Sequence, residues 1–143
     1  MSKNCFVWTR VSTKYQEENG GSLDDQKCKC EMYAKEHDFQ INGYYGGTHE
    51  SAKTPGKLVK EMLSALKRNK TVKYILVKNA DKLKLIEIKS SETYHQEFEK
   101  GIKAFCKEFG DKVEDTTIIY AGDLENTTRE IKMLNYSRLY EIL

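Results

Sequence analysis

The sequence predicts a single α/β unit of three layers, in which a mixed β-sheet carries helices on both faces. Two observations support this fold class. Short apolar runs typical of buried strands alternate with longer segments whose apolar residues recur at helical spacing. In addition, the runs "VKYILV" and "KLKLIEIK" are separated by only a few polar residues, which favours an antiparallel pair within an otherwise parallel sheet.

The first part of the chain follows a βαβ pattern. The apolar run Cys5–Thr9 predicts a first strand, followed by a polar loop. Ser22 is a helix-capping residue with an acid three positions later, and apolar residues then recur at helical spacing, so we predict a helix over Leu23–His37. Ile41–Tyr45 predicts the second strand, which the glycine pair 46–47 ends.

A second helix and a third strand extend this pattern to βαβαβ. Thr54 is predicted to cap the helix and Pro55 to occupy its first position. The helix then has one apolar stripe, formed by Leu58, Val59, Met62, Leu63 and Leu66. Val72–Val77 is mostly apolar and β-branched, which is typical of a central parallel strand.

The second half of the chain predicts an antiparallel hairpin followed by a βαβ-like arrangement. Lys82–Lys89 is the strand that pairs with the third one across the short turn "KNAD". A helix is predicted from Thr93 to Gly110, and then a strand over Thr117–Ala121. Ile131–Asn135 predicts a short strand, and Ser137–Leu143 a final helical turn or two.

Length and composition fit one ordinary globular domain. The chain has 143 residues, of which 32% are charged and 38% hydrophobic. Its net charge of +2 is too small to indicate a nucleic-acid partner by itself. Basic residues do cluster in one middle segment, for which a solvated helix face is favoured over a track for phosphates. They are Lys53, Lys57, Lys60, Lys67, Arg68, Lys70, Lys73 and Lys78.

Hydropathy and cysteine usage predict a cytoplasmic protein that does not enter a membrane. No apolar run approaches the ~18–20 residues that a membrane span requires, and the first residues lack the pattern of a signal peptide. The four cysteines are too sparse for a disulfide scaffold, and Cys28 and Cys30 are too close in sequence for a typical zinc site. We expect ordinary reduced thiols.

Four segments, in this order, resemble the front half of the catalytic domain of serine recombinases of the resolvase/invertase family. They are "TRVSTKYQ", "SLDDQKCKCEMYAKEHDF", "GGTHESAKTPGKLVKEML" and "VKYILVKNADKL", and the resemblance covers about residues 4–83. It implies that Ser12 attacks a DNA phosphodiester to form a phosphoserine link. It also implies that Arg10 and Gln26 belong to the catalytic site, that no metal or other cofactor is needed, and that DNA is the partner of a possible homodimer.

The chain departs from this family at the groups that bind the scissile phosphate. Thr54 stands where the family usually has an arginine, and 81–85 reads "DKLKL" where the family has "DRLSR". Lys57 and Lys82 are candidates for phosphate binding, but a lysine does not reproduce the two-pronged contact of a guanidinium group. Asp38 stands where a helix-ending glycine is usual, and aspartate tolerates the left-handed conformation.

From about residue 72 to 143 the chain is similar to a second family, the C-terminal domain of unknown function behind bacterial AAA-type ATPases. That domain resembles restriction endonucleases. The segments concerned are "LKLIEIKSSETYHQEFEKGIKAF", "TTIIYAGDLENT" and "IKMLNY". We therefore predict two half-domains, 1–79 and 80–143, packed as one unit. Glu87 and Lys89 match half of a nuclease motif, but the pattern favours the exposed side of an alternating strand.

These resemblances predict a truncated serine recombinase-like protein with impaired site-specific DNA cleavage and strand transfer. A non-catalytic interaction module, produced by gene fusion, is the alternative from a different class. A remnant of a magnesium-dependent nuclease at Glu87 and Lys89 is a third reading. The three histidines lack partners at ligand spacing and are predicted to lie at the surface, whereas Trp8 is predicted to belong to the core.

Overall fold

The structure is a computed structural model that describes residues 3–9, 21–47, 56–79, 82–89, 91, 100, 103, 107, 113–123, 126–127 and 131–143. The structure gives the bounds of two α-helices, α1 (Gly21–Glu36) and α2 (Lys57–Arg68), and of a 3₁₀ helix (Tyr136–Glu141). Seven strands form one sheet. They are β1 (Lys3–Thr9), β2 (Phe39–Gly46), β3 (Val72–Asn79), β4 (Lys82–Ile88), β5 (Val113–Tyr120), β6 (Asn126–Thr127) and β7 (Lys132–Asn135).

The sheet is mixed, and its strand order is β2-β1-β3-β4-β5-β7-β6. β1 is parallel to both β2 and β3, and β4, β5 and β7 are parallel to one another. β3 and β4 are antiparallel, with Tyr74 opposite Glu87, and so are β6 and β7. The predicted α/β fold with an antiparallel pair at β3 and β4 is confirmed.

The antiparallel junction divides the sheet into two groups of strands that run in opposite directions. The carboxyl ends of β1, β2 and β3 meet at one edge of the sheet, which we call the first edge. The carboxyl ends of β4, β5 and β7 meet at the other, which we call the second edge. Open α/β sheets bind ligands outside the carboxyl ends of their strands, so each group has its own candidate edge.

Two hydrophobic cores lie on opposite faces of this sheet. Alternate residues of each strand enter opposite cores, as Leu76 and Leu85 do on the α1 face and Ile75 and Ile86 on the α2 face. Both cores combine residues from before and after position 80. The sheet and its cores are therefore continuous across the predicted boundary between the half-domains.

The connection from α1 to β2 turns at Asp38. Asp38 has a φ of 60°, so the predicted left-handed aspartate is confirmed. The Lys3 amide donates a hydrogen bond of 3.1 Å to the Asp38 carbonyl, which ties this turn to the start of β1. His37 is buried, with its ring 4.3 Å from the ring of Tyr33, so its predicted surface position is wrong.

The start of α2 differs from its prediction. The helix begins at Lys57, and Gly56 is its N-cap without a side-chain hydrogen bond, so the prediction of a Thr54 cap with Pro55 at the first helical position is wrong. The predicted final helical turns form a 3₁₀ helix, and the Asn135 side chain accepts a 2.9 Å hydrogen bond from the Ser137 amide.

Other elements lie near their predicted positions but differ in their bounds: α1 begins at Gly21, so the predicted Ser22 cap is wrong, and β5 begins at Val113 rather than Thr117. Trp8 is 2% exposed in the α2-side core, as predicted. Most of the helix predicted from Thr93 to Gly110 lies outside the described residues, although positions 100, 103 and 107 are helical. His49 and His95 also lie outside the described residues. In the part of the chain that the structure describes, no helix combines the length and apolar character needed to cross a membrane.

Candidate functional site at the first edge of the sheet

The ends of β1 and β2 approach each other closely at the first edge. Thr9 is buried, and its carbonyl oxygen accepts a 2.9 Å hydrogen bond from the Gly47 amide. Gly46 has a φ of 87°, and a Cβ atom added there would lie 2.0 Å from the Thr9 carbonyl oxygen. Only glycine fits this position without a shift of the backbone. The contact fixes the point from which the chain leaves β1 toward Arg10.

An ion pair links α1 to the carboxyl end of β3 at the same edge. Lys78 Nζ lies 2.9 Å from Asp25 Oδ2, and this hydrogen bond, together with the charge of Lys78, lowers the pKa of Asp25 below its ordinary value. The Asp25 side chain is half exposed, whereas 20% of the Lys78 side chain is exposed. Lys78 is therefore a positioned cation at the first edge, and its partner remains open to water.

Two buried thiols lie behind this ion pair. Burial raises the pKa of Cys30 to about 12, and the neighbouring Lys78 opposes that shift. Burial also raises the pKa of Cys5 to about 12, with a smaller contribution from Cys30. Both side chains belong to the α1-side core. They are neutral packing groups at physiological pH rather than nucleophiles, because the thiolate is the reactive form.

The predicted catalytic residues are described only in part. Ser12 and Arg10 lie outside the described residues, as does Thr54. Gln26 lies on α1 directly after Asp25 and is half buried. Since Thr9 ends β1 and Lys78 lies near the end of β3, Gln26 shares the first edge with the strand ends that precede the predicted site.

Of the two lysines predicted to bind phosphate, Lys57 lies on the opposite face of the sheet from the ion pair, and Lys82 begins β4 beside the carboxyl end of β3. Lys57 is the first residue of α2 and lines a shallow groove with Tyr45, Lys60, Glu61, Ser64 and Arg68. Helix α2 packs on the face of the sheet opposite to α1. The backbone of Lys82 begins β4, opposite Asn79, and its side chain lies outside the described part.

Leu85 ends the segment "DKLKL", whose last position would be an arginine in a serine recombinase. It is 1% exposed in the α1-side core and lies opposite Leu76 on β3. This position points into packed apolar side chains, where a guanidinium group would lose its hydration. Leu85 is therefore part of the core of this fold and not of its surface.

The predicted nuclease pair forms a close contact that is mostly buried. Glu87 Oε1 lies 2.7 Å from Lys89 Nζ, and the Glu87 side chain is 6% exposed. The prediction that this pair lies on an exposed strand face is thus wrong for Glu87. Tyr74 lies opposite Glu87 on β3, and burial, followed by the charge of Glu87, raises the pKa of Tyr74 to about 12.

The arrangement around Glu87 does not fit a magnesium site. Such sites need several oxygen ligands, usually from two or more carboxylates. Among the described residues, no group of three or more histidine, cysteine, aspartate or glutamate side chains is placed to hold a metal ion. Lys89 already neutralises Glu87, and Glu87 Oε2 is buried without a hydrogen-bond partner. The pair is best understood as part of the packed interior.

Sequence reasoning did not single out Lys78 as a site residue. The sequence pattern places it only in the basic middle segment. Its position directly after the apolar run "VKYILV" was the available signal, because polar residues at the carboxyl end of a central strand lie at a ligand-binding edge. Its pairing with Asp25 was not visible, since 53 positions separate the two residues in sequence.

Comparison of the chain with family models, with curated proteins and with solved structures finds no match.

Proposed function

We propose that the chain is a truncated serine recombinase-like protein that binds DNA and forms a phosphoserine link through Ser12 at a much reduced rate. The observation that carries the proposal is the first edge itself. β1 lies between β2 and β3, and its carboxyl end is flanked by the glycines after Tyr45 and by the Asp25–Lys78 pair. Ser12 follows Thr9 by only three positions.

The proposed reaction is a displacement at phosphorus. The Ser12 hydroxyl loses its proton as its oxygen bonds to phosphorus, the bond from phosphorus to the 3′ oxygen breaks, and that oxygen takes up a proton. A serine hydroxyl is a weak nucleophile, so the step depends on cations that stabilise the charge developing on the phosphate. Arg10 is the proposed primary donor, and Gln26 and Lys78 support it.

The same observations support a slow rate. Asp25 already neutralises part of the charge of Lys78, and Lys57 belongs to a groove on the other face of the sheet. Leu85 lies in the core and offers no donor. Loss of a single donor to a developing oxyanion typically lowers a rate by ~10²–10³. Several missing donors therefore predict cleavage that is detectable only with a trapping substrate.

A non-catalytic module is the second candidate, and the burial of Leu85 favours it. By the resemblance to serine recombinases, position 85 would bind phosphate. In this chain it is the core residue Leu85, so the fold is retained without the reaction. The continuous sheet across residue 80 supports the same reading, because a fused protein with a shared core can persist as a stable unit.

A covalent trapping experiment separates these two candidates. The substrates are nicked duplexes of randomised central sequence. Cleavage near the nick releases a short strand that carries the free 3′ hydroxyl, so the reaction cannot reverse and the DNA stays linked to the protein. We expect the wild-type chain to give an adduct on a denaturing gel, and Ser12→Ala to give none. Thr13→Ala is the matched control, because it removes the neighbouring hydroxyl, and it should retain the adduct. Absence of adduct from the wild type as well would reject the recombinase proposal in favour of the non-catalytic module.

A further inference from the structure

A cavity of about 290 Å³ opens at the second edge of the sheet, away from the residues that precede Ser12. It lies where the end of α2 and the turn after it meet the start of β3, and where β4 and β5 end. Ile88 and Ala121 belong to those strand ends. Open α/β sheets bind ligands at the carboxyl ends of their strands, and this cavity has that position relative to β4, β5 and β7.

The inner wall of this cavity is apolar. Leu66, Val72 and Ile88 are buried residues of the α2-side core that also line the cavity. Tyr136 adds a further wall, and its hydroxyl is already engaged, because it donates a 2.9 Å hydrogen bond to the Lys89 carbonyl oxygen. The wall therefore offers surface for an apolar body rather than hydrogen bonds.

The rim of the cavity is positively charged. Lys67, Lys70 and Lys73 line it, and no acidic side chain is found among the described residues that do so. Among the described residues, none is an ion-pair partner of these three lysines, in contrast to Lys78 and Lys89. Uncompensated charges of one sign around a low-dielectric wall attract ligands of the opposite sign.

We propose that this cavity binds a small amphiphilic anion, with the apolar body against Leu66, Val72 and Ile88 and a single carboxylate or phosphate head at the three lysines. The volume is close to the lower end of the ~300–1,000 Å³ range of small-molecule sites. At ~30 Å³ for each water-sized group, it has room for on the order of ten non-hydrogen atoms. Octanoate matches both the size and the charge.

Titration of the isotope-labelled full chain with octanoate, followed by amide NMR shifts, tests the proposal. We expect saturable shifts at Ile88, Ala121 and Ser137, which mark the cavity. Octanol, which lacks the charge, should bind about tenfold more weakly, because a few exposed ionic contacts contribute modestly each. Octyl phosphate tests whether a phosphate head group binds as a carboxylate does. Inorganic phosphate tests whether the apolar body is needed.

Two charge-matched triple variants test the role of the rim. Lys67→Gln/Lys70→Gln/Lys73→Gln removes the rim charges, and Lys57→Gln/Lys60→Gln/Arg68→Gln removes the same number of charges from the groove that contains Lys57. The first variant should weaken octanoate binding about tenfold and the second less than about twofold. All six side chains are exposed, so both variants are expected to fold.

Ala121→Leu tests the cavity without a change in charge. The larger side chain occupies the space for the apolar body, so it should abolish octanoate binding while the lysines remain. The proposal is overturned if octanoate gives no saturable shifts, if octanol binds as tightly, or if both triple variants weaken binding equally. If the rim lysines bind duplex DNA and the chain does not bind octanoate, the lysines belong to a DNA site and the proposal is overturned too. Ser12 plays no part in these measurements, so they stand apart from the recombinase proposal.

Discussion

Two of the ion pairs among the described residues lie at opposite edges of the sheet, and their surroundings differ. Lys78 and Asp25 meet at 2.9 Å at the first edge, with 51% of the Asp25 side chain exposed. Lys89 and Glu87 meet at 2.7 Å near the second edge, with 6% of the Glu87 side chain exposed. A pair open to water can exchange partners at little cost, whereas a buried carboxylate depends on its partner. The first pair is therefore suited to ligand exchange and the second to holding the fold.

Loss of Lys89 should have the largest effect on stability. Lys89→Met leaves the Glu87 carboxylate buried opposite Tyr74, without its counter-ion. Breaking a fully buried pair typically costs ~3–5 kcal/mol, and since 30% of the Lys89 side chain is exposed we expect a loss of about 2–3 kcal/mol. Urea unfolding measures this free energy.

The double variant Glu87→Met/Lys89→Met is the control for that measurement. It removes both charges together, and replacement of a buried pair by apolar groups is often close to neutral. We therefore expect it to recover most of the stability that Lys89→Met loses. If the single variant unfolds within about 0.5 kcal/mol of the wild type, the distinction between the two ion pairs fails.

The contact between β1 and β2 should have the next largest effect, and it tests whether the first edge depends on backbone geometry rather than on its ion pair. Gly46→Ala places a Cβ against the Thr9 carbonyl oxygen in a left-handed conformation, so we expect a loss of about 2 kcal/mol in urea unfolding. Gly47 has a φ of 94° but no atom within 4 Å of its added Cβ. Gly47→Ala should therefore cost about half as much, and equal losses would contradict the proposed close approach.

The sequence predicts the elements well where local pattern decides them. β3 is predicted by "VKYILV", because a strand buried on both faces is apolar along its whole length. α2 is predicted by its single apolar stripe, because a helix buried on one face repeats apolar residues at helical spacing. The helix α2 begins at Lys57, two residues after the predicted Pro55. Thr54 and Pro55 are good signals for a helix start, but the position of a helix end commonly varies by one or two residues.

The candidate sites depend on tertiary contacts that no local pattern records. Both faces of β4 carry apolar residues, Leu85 on one and Ile86 on the other, so alternation alone could not show that Glu87 is buried. The cavity at the second edge is likewise formed by segments far apart in sequence, from the end of α2 to the 3₁₀ helix. The sequence shows that its lysines cluster in one basic segment, but it does not show that they line one cavity.

The smallest effect is expected at Asp25, and its pH dependence sharpens the comparison. Lys78 lowers the pKa of Asp25 in the folded chain, so the pair stabilises the fold above the ordinary carboxyl pKa of about 4. This contribution is lost as the pH falls through the lowered folded value, because both states are then protonated. Asp25→Asn should thus unfold slightly more easily than the wild type near neutral pH and equally easily in acid. A difference that grew on acidification would show that Asp25 is not held by Lys78, and would leave that lysine unpaired at the first edge.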